Sequence, residues 1–187
     1  HKAIRRQRQM CIRDSIGREV ACALALGDLA PDAAAIAQGL RTVEWPGRLQ
    51  RLTRGPLLEL LPPSWELWLD GGHNPAAAEA LAASLNGADQ RPLHLVVGML
   101  TTKDEAGFLR PLAPLARSLH TVPVPGESAS RDPLEAAALA MRLGIPATPA
   151  RDLAEALGAI AAAGPDPARV LICGSLYLAG HVLRDHG

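Results

Sequence analysis

The sequence predicts an α/β domain in which a mostly parallel β-sheet carries helices on both faces. Three observations point there. From residue 65 onward, short apolar runs alternate with helix-forming stretches in strict succession. The runs are apolar throughout rather than at every second position, as strands covered on both faces are. They end on Asp-Gly-Gly-His, Gly-Met-Leu-Thr-Thr-Lys and Gly-Ser, at the carboxyl edge where parallel sheets hold ligands.

The elements follow in order. Ile16 to Leu26 is rich in helix formers and stops near Gly27, and a second helix starts near Pro31 and ends by Gly39. Trp45-Pro46-Gly47 forbids a continuing helix and marks a domain boundary. "WELWLD" (65–70) is then a strand, and Pro75–Leu85 is a helix opened by Asn74 as N-cap and stopped by Asn86-Gly87. "LHLVVG" (93–98) is a buried strand. Asp104–Ser118 is expected to be a helix made irregular by Pro111 and Pro114, and "LHTVPV" (119–124) the next strand. After the loop "PGESASRD" come a helix over Pro133–Leu143, a short edge strand in "IPATPA" and a helix over Arg151–Ala163. "RVLICG" (169–174) is the last strand and Ser175–Asp185 the last helix.

Composition narrows the class. With 187 residues and 48% hydrophobic content, the chain can bury a real core, and no apolar run approaches membrane-spanning length. Cys11, Cys22 and Cys173 form no ligand cluster, and their odd number argues against a disulfide framework, so a reducing cytoplasm is expected. The formal charge of zero is uneven: residues 1–15 hold five basic groups and one acid, leaving 14 basic and 18 acidic groups elsewhere. "RRQRQMCIRDS" (5–15) is similar to peptides translated from sequencing adapters, so residues 1–15 are read as a non-native segment. The rest is mildly acidic and offers no basic stripe for nucleic acid.

"WLDGGHNPAAAEAL" (68–81) carries the functional question. A tight strand-to-helix turn accounts for Gly71, Gly72 and Asn74. It does not account for Asp70 and His73, because Ser or Ala would serve the turn as well. Together with "WPGRLQ" (45–50), "GMLTTKD" (98–104) and "VLICGSLYLAGHVL" (170–183), this stretch resembles the carboxy-terminal domain of the folylpolyglutamate synthase/dihydrofolate synthase family, within the Mur-ligase-like amide ligases. Each motif is short, but their order is specific and they extend over residues 45–183. The Gly-Ser-Leu-Tyr-Leu ending favours the folate branch over the cell-wall branch.

The resemblance implies a Rossmann-like, Mur ligase carboxy-terminal fold over residues 47–187, with 16–46 as the last helices and linker of a central ATPase domain. It also implies an activity: ATP activates a substrate carboxylate as an acyl phosphate, which the amine of L-glutamate attacks. The substrates would be dihydropteroate, folates or both, and the cofactors ATP and Mg2+.

By the same resemblance Arg48 and Asp70 serve the nucleotide, and His73 and Ser175 serve glutamate. His73 and Lys103 stand nearest the chemistry. Three of them have a plainer account beside the functional one: a boundary ion pair for Arg48, a solvated loop side chain for Lys103, a simple N-cap for Ser175. Lys103 stands out because the chain has 17 arginines and only two lysines, the other being Lys2.

No G-x-x-x-x-G-K-[ST] and no strand-following G-x-G-x-x-G occurs, and the family's magnesium ligands and modified lysine have no counterpart. The chain therefore reads as a ligase fragment that needs its amino-terminal ATPase domain in cis, is inert alone, and belongs to a monomeric full-length enzyme. Two alternatives stand beside it: a stand-alone nucleotide- or metabolite-binding module, and a cell-wall Mur ligase fragment. Coding sequence upstream of codon 16 separates the first, since a phosphate-binding loop in frame supports the ligase and a start codon near Ile16 the module. If residues 1–15 lie outside the fold, deleting them leaves the thermal midpoint unchanged; a clear drop in a melting curve refutes that.

Overall fold

The computed structural model describes residues 32, 34, 35, 38, 45–86, 91–164 and 167–186. The expectations for residues 1–15, and nearly all of those for the helices over 16–41, lie outside the described residues. The chain divides into two compact units, residues 1–45 and 46–187. In the first, Ala34, Ala35 and Gln38 are helical, and the Ala35 N–H donates to the Asp32 carboxylate at 2.6 Å.

The second unit carries strands β1 (Gln50–Leu52), β2 (Glu66–Leu69), β3 (Leu93–Val97), β4 (Ala116–Thr121), β5 (Ala147–Pro149) and β6 (Arg169–Cys173). Between and after them lie helices α1 (Pro56–Glu59), α2 (Pro75–Leu85), α3 (Glu105–Leu109), α4 (Pro133–Arg142), α5 (Leu153–Ala162) and α6 (Leu176–His186). The sheet order is β1-β2-β6-β3-β4-β5, and only β1 runs antiparallel to its neighbour. No helix among the described residues is long and apolar enough to cross a membrane.

Alternation along the strands builds two cores, one on each face. Leu67 and Leu69 of β2, Val96 of β3, and Val170 and Ile172 of β6 join Leu57 of α1, Leu157 and Ile160 of α5, and Leu178 and Val182 of α6. Leu95 and Val97 of β3, with Leu171 and Cys173 of β6, join Leu81 of α2, Phe108 of α3 and Ala140 of α4 on the other face. That explains the unbroken apolar runs: both sides of each central strand are covered. The helices begin where capping chemistry places them. Asn74, Asp104 and Asp152 each accept a backbone N–H three residues on, from Ala77, Gly107 and Glu155, and Asp132 accepts from Leu134 and Glu135.

Four differences from the sequence expectations have local causes. The helix expected to run from Asp104 to Ser118 ends at Leu109, because Pro111 has no N–H to give to the Gly107 carbonyl. The chain is then free to enter β4 at Ala116, earlier than expected. The antiparallel β1 was not foreseen, being three residues with only Leu52 buried. Nor was α1, a single turn that Gly55, at φ 103°, and Pro56 open.

One core carries polar groups. His94 and His120, each 9% exposed, sit on adjacent strands. The His94 Nδ1 meets the Ser118 hydroxyl at 2.8 Å, and its ring stacks on Trp65 with centroids 5.9 Å apart. Burial lowers the pKa of both imidazoles, and for His94 the neighbouring His120 and Arg117 lower it further. The unfolded chain therefore binds more protons than the folded one just below pH 6.5, the ordinary histidine value. The stability these neutral rings contribute is fully present above pH 6.5 and is lost as pH falls towards their depressed folded values. Replacing both by Gln should shrink the difference in urea midpoint between pH 7.5 and pH 5.0. An unchanged difference in the double variant contradicts this account.

Candidate functional site

Strand order assembles the site. β6 is inserted between β2 and β3, so the carboxyl ends of these three strands lie side by side although they are far apart in sequence. The chain passes over β6 on its way from β2 to β3 and returns to it last, making a switch point of the kind that opens a crevice beyond the strand ends. Hydrogen bonds continue past the strands and join the three motifs. The Asp70 N–H donates to the Ile172 carbonyl at 2.9 Å, the Gly174 N–H to Gly72 at 3.0 Å, and the Gly98 N–H to Cys173 at 3.2 Å.

Asp70 is wholly buried. Its Oδ2 accepts the Leu49 N–H and its Oδ1 the Gly72 N–H, each at 2.7 Å. Beside it, the Gly71 N–H donates to the Gly47 carbonyl at 2.7 Å, and the Gly47 N–H to the Gln50 side chain at 2.8 Å. Residues 47–50 are thus fastened to the end of β2. Arg48 lies within that turn, exposed, and its guanidinium has no partner among the described residues. The boundary ion pair offered as its plainer account is not found there. Behind Asp70, burial and then the Asp70 charge push the Cys173 thiol pKa up, so Cys173 is an uncharged core residue.

The glycines have separate reasons. A side chain at Gly71 would run into Leu176 of α6. Gly174 has φ 105°, and a Cβ there would stand 2.8 Å from the Gly98 carbonyl oxygen. Both keep the α6 start tight against the motif loops. Ser175 caps α6: its Oγ accepts the N–H groups of Tyr177 and Leu178 at 3.1 and 3.4 Å, and the residue is 3% exposed. His73 is half-buried, and its Nδ1 lies 3.0 Å from the Gly71 carbonyl. A carbonyl only accepts, so Nδ1 carries the proton in the neutral ring and Nε2 is left as the acceptor.

Lys103 lies in the loop after β3. The Thr101 N–H donates to Ala129 and the Arg131 N–H to Met99, both at 2.8 Å, which pairs this loop with residues 129–131. The Lys103 N–H closes a turn onto Leu100 at 3.1 Å; the residue is half-buried, and its ammonium has no partner among the described residues. Gly107 of α3 leaves room only for Pro75 and the capping Asp104, so this loop also abuts the start of α2.

Sequence reasoning passed over a pair here. Glu105, 3% exposed, meets the Nε of Arg131 at 3.2 Å, and Glu135 stands 3.9 Å from the same guanidinium. Burial raises the Glu105 pKa, against the pull of Arg131. In sequence, the only hint was an arginine beside the Asp-Pro that opens α4.

The structure therefore brings the Arg48 turn, Asp70, His73, Ser175 and the Lys103 loop into one hydrogen-bonded shell at the carboxyl edge. It differs in how they are exposed. Arg48, His73 and Lys103 present side chains to solvent, whereas Asp70 and Ser175 are turned inward on backbone N–H groups. Among the described residues, no three His, Cys, Asp or Glu side chains converge as metal ligands would.

Comparison with known proteins matches residues 57–176 to the Mur ligase, glutamate ligase domain. A folylpolyglutamate synthase from Lacticaseibacillus casei is 33% identical over 91 residues, 49% of this chain and 19% of its own length. Among solved structures, Mycobacterium tuberculosis folylpolyglutamate synthase complexed with ADP and AMPPCP superposes with a TM-score of 0.69 at 30% identity, covering 82% of this chain and 35% of that one. The bifunctional folylpolyglutamate synthase/dihydrofolate synthase of Yersinia pestis, complexed with AMPPNP and a Mn ion, gives 0.66 at 27% identity, covering 82% and 34%. The chain thus spans about a third of these solved structures.

Gly174→Ala tests how tightly the strand ends are packed. It combines a left-handed backbone with a close carbonyl, so unfolding free energy should fall by roughly 1–3 kcal/mol or more. Gly158→Ala, on an open face of α5, should be neutral or stabilising by up to about 1 kcal/mol. Equal urea midpoints for the two variants contradict the packing argument.

Proposed function

Because the chain belongs to the Mur ligase glutamate-ligase-domain family, we propose that it is the carboxy-terminal part of an ATP-dependent, ADP-forming amide ligase. The reaction joins L-glutamate to dihydropteroate, to folates, or to both. Residues 16–46 are the end of the central ATPase domain and 47–187 the glutamate ligase domain. The relatives' own length, about three times that matched here, supports a larger enzyme, whose other part supplies the phosphate-binding loop. That enzyme is proposed to be monomeric and cytoplasmic. The magnesium that assists phosphoryl transfer is assigned to the preceding domain, because the resemblance finds no counterpart of the family's magnesium ligands in this chain.

One observation carries the proposal: two cations without partners among the described residues, Arg48 and Lys103, stand on loops at the same carboxyl edge as His73 and the capped start of α6. In the reaction, the γ-phosphoryl group of ATP passes to the substrate carboxylate, releasing ADP. The glutamate nitrogen then attacks the acyl carbon, phosphate leaves, and the nitrogen loses its proton.

Arg48 presents planar, always-charged donors to nucleotide phosphate. Lys103, a compact charge, offsets the negative charge that builds on the acyl phosphate oxygens. His73 offers Nε2 as acceptor to the glutamate ammonium. Ser175 orders the α6 N-terminus, where backbone N–H groups and the helix dipole favour the glutamate carboxylate. ADP and ATP analogues in the solved relatives support the nucleotide assignment.

The purified 187-residue chain should neither hydrolyse ATP nor extend folates; turnover free of contaminating ligase refutes the division between domains. In a titration followed by NMR, millimolar ADP should move Arg48 resonances, and glutamate those of His73 and Ser175. Micromolar nucleotide affinity of the chain alone supports a stand-alone binding module instead.

A further inference from the structure

We propose that the amino edge of the sheet holds a second ligand site, which takes a small organic monocarboxylate. It lies at the other end of β2 from Asp70 and does not depend on the ligase reading.

A cleft of about 210 Å3 opens where β1 ends and β2 begins. Antiparallel pairing sets Leu52 beside Leu67, so the chain leaving β1 meets the chain entering β2 at this edge. Leu52, Leu58 of α1 and Pro62 give the cleft apolar walls, while Arg51, Thr53 and Trp65 bring N–H and O–H donors. The Trp65 backbone N–H donates to the Pro62 carbonyl at 2.9 Å, closing a turn that Pro62 and Pro63 stiffen. These walls are set before a ligand arrives, which lowers the entropic cost of binding.

Trp65 carries the proposal. The residue is 4% exposed, and its buried indole N–H has no hydrogen-bond partner among the described residues. Stacking on His94 fixes the ring, so the donor is not free to turn elsewhere. Trp68, three residues on, differs: its indole donates to Glu66 at 3.0 Å. A buried donor without an acceptor is costly, and proteins seldom leave one unless something from outside the chain completes it. An acceptor seated in the cleft that Trp65 lines does so.

Charge selects the acceptor. Among the described residues lining the cleft, Arg51 alone carries a formal charge. Its guanidinium lies 3.3 Å from Glu66, but that carboxylate is shared with Arg91, Arg169 and the Trp68 indole. With a side chain 54% exposed and five N–H donors in its fork, Arg51 has bonds left for a further anion. One cation, two neutral donors and apolar walls match a monoanion with an apolar body. A phosphate dianion calls for more positive charge and gains nothing from leucine and proline. The volume falls below the roughly 300–1,000 Å3 of sites for drug-sized ligands, which limits the occupant to amino-acid size.

Benzoate titrated into the 187-residue chain, followed by NMR of the tryptophan indole N–H groups, tests the site. Trp65→Phe keeps a stacking ring and deletes the donor, so the resonance it removes is that of Trp65. Should that variant not fold, Trp45→Phe and Trp68→Phe assign the same resonance by elimination. In the wild-type chain, millimolar benzoate should move the Trp65 indole downfield to saturation, together with the Thr53 and Leu58 amides. The Trp68 indole, already bonded to Glu66, should move less. Arg51→Gln removes a charge-assisted bond at an exposed position and should weaken affinity about tenfold or more. A shift that never saturates, an unmoved Trp65 indole, or undiminished affinity in Arg51→Gln overturns the proposal. Equal binding of benzyl alcohol or of inorganic phosphate overturns it too, by removing the preference for an apolar monoanion. So do benzoate shifts confined to Arg48, His73 and Lys103, which place the anion at the carboxyl edge instead.

Discussion

A carboxylate stripped entirely of water has to be compensated from within the protein, and at Asp70 backbone N–H groups from two loops do this. Hydrogen bonds to a charged group are each worth about 1.5–3 kcal/mol, and an ion left without them is far costlier than that. The carboxyl edge of the sheet is organised around this requirement. The turn at 47–50 is drawn onto the end of β2, which makes β1 an antiparallel neighbour there, and Gly71 closes against α6. Side chains that face solvent at the site, Arg48 and His73, stand on backbone whose position this buried charge dictates.

The parallel core was legible because its strands are covered on both faces and therefore cannot hide their apolar content. β2, β3 and β6 lie within a residue of where composition placed them, and α2 spans Pro75–Leu85 as its cap and stop residues required. What escaped was short or depended on partners distant in sequence. β1 pairs through backbone and buries one side chain, so no periodicity announces it. The early start of β4 depends on Pro111 ending α3, a consequence of one missing N–H that an averaged helix preference conceals.

The site was legible in kind but not in exposure. The order of the motifs placed Asp70, His73, Lys103 and Ser175 at strand ends and Arg48 at the domain boundary, and strand order brings those ends together. Nothing in a string of letters says whether an aspartate faces a ligand or a backbone amide. Asp70 and Ser175 accept backbone N–H groups, and the Glu105–Arg131 pair, formed between the start of α3 and the loop before α4, carried little local pattern. Burial of a polar side chain is decided by what the rest of the chain brings against it.

The charge arrangement at the carboxyl edge points outward. Glu105, nearly excluded from solvent, occupies Arg131, and removing that arginine would strand a buried carboxylate. Arg131 is thereby held between the start of α3 and Glu135 in the first turn of α4. Arg48 and Lys103 differ: neither has an acidic partner among the described residues, and both extend from loops rather than from helix or strand. Unpaired cations contribute little to the fold that carries them and repel one another at close range. Their value lies in an anion from outside, and the phosphates and carboxylates of the proposed reaction are anions of that kind.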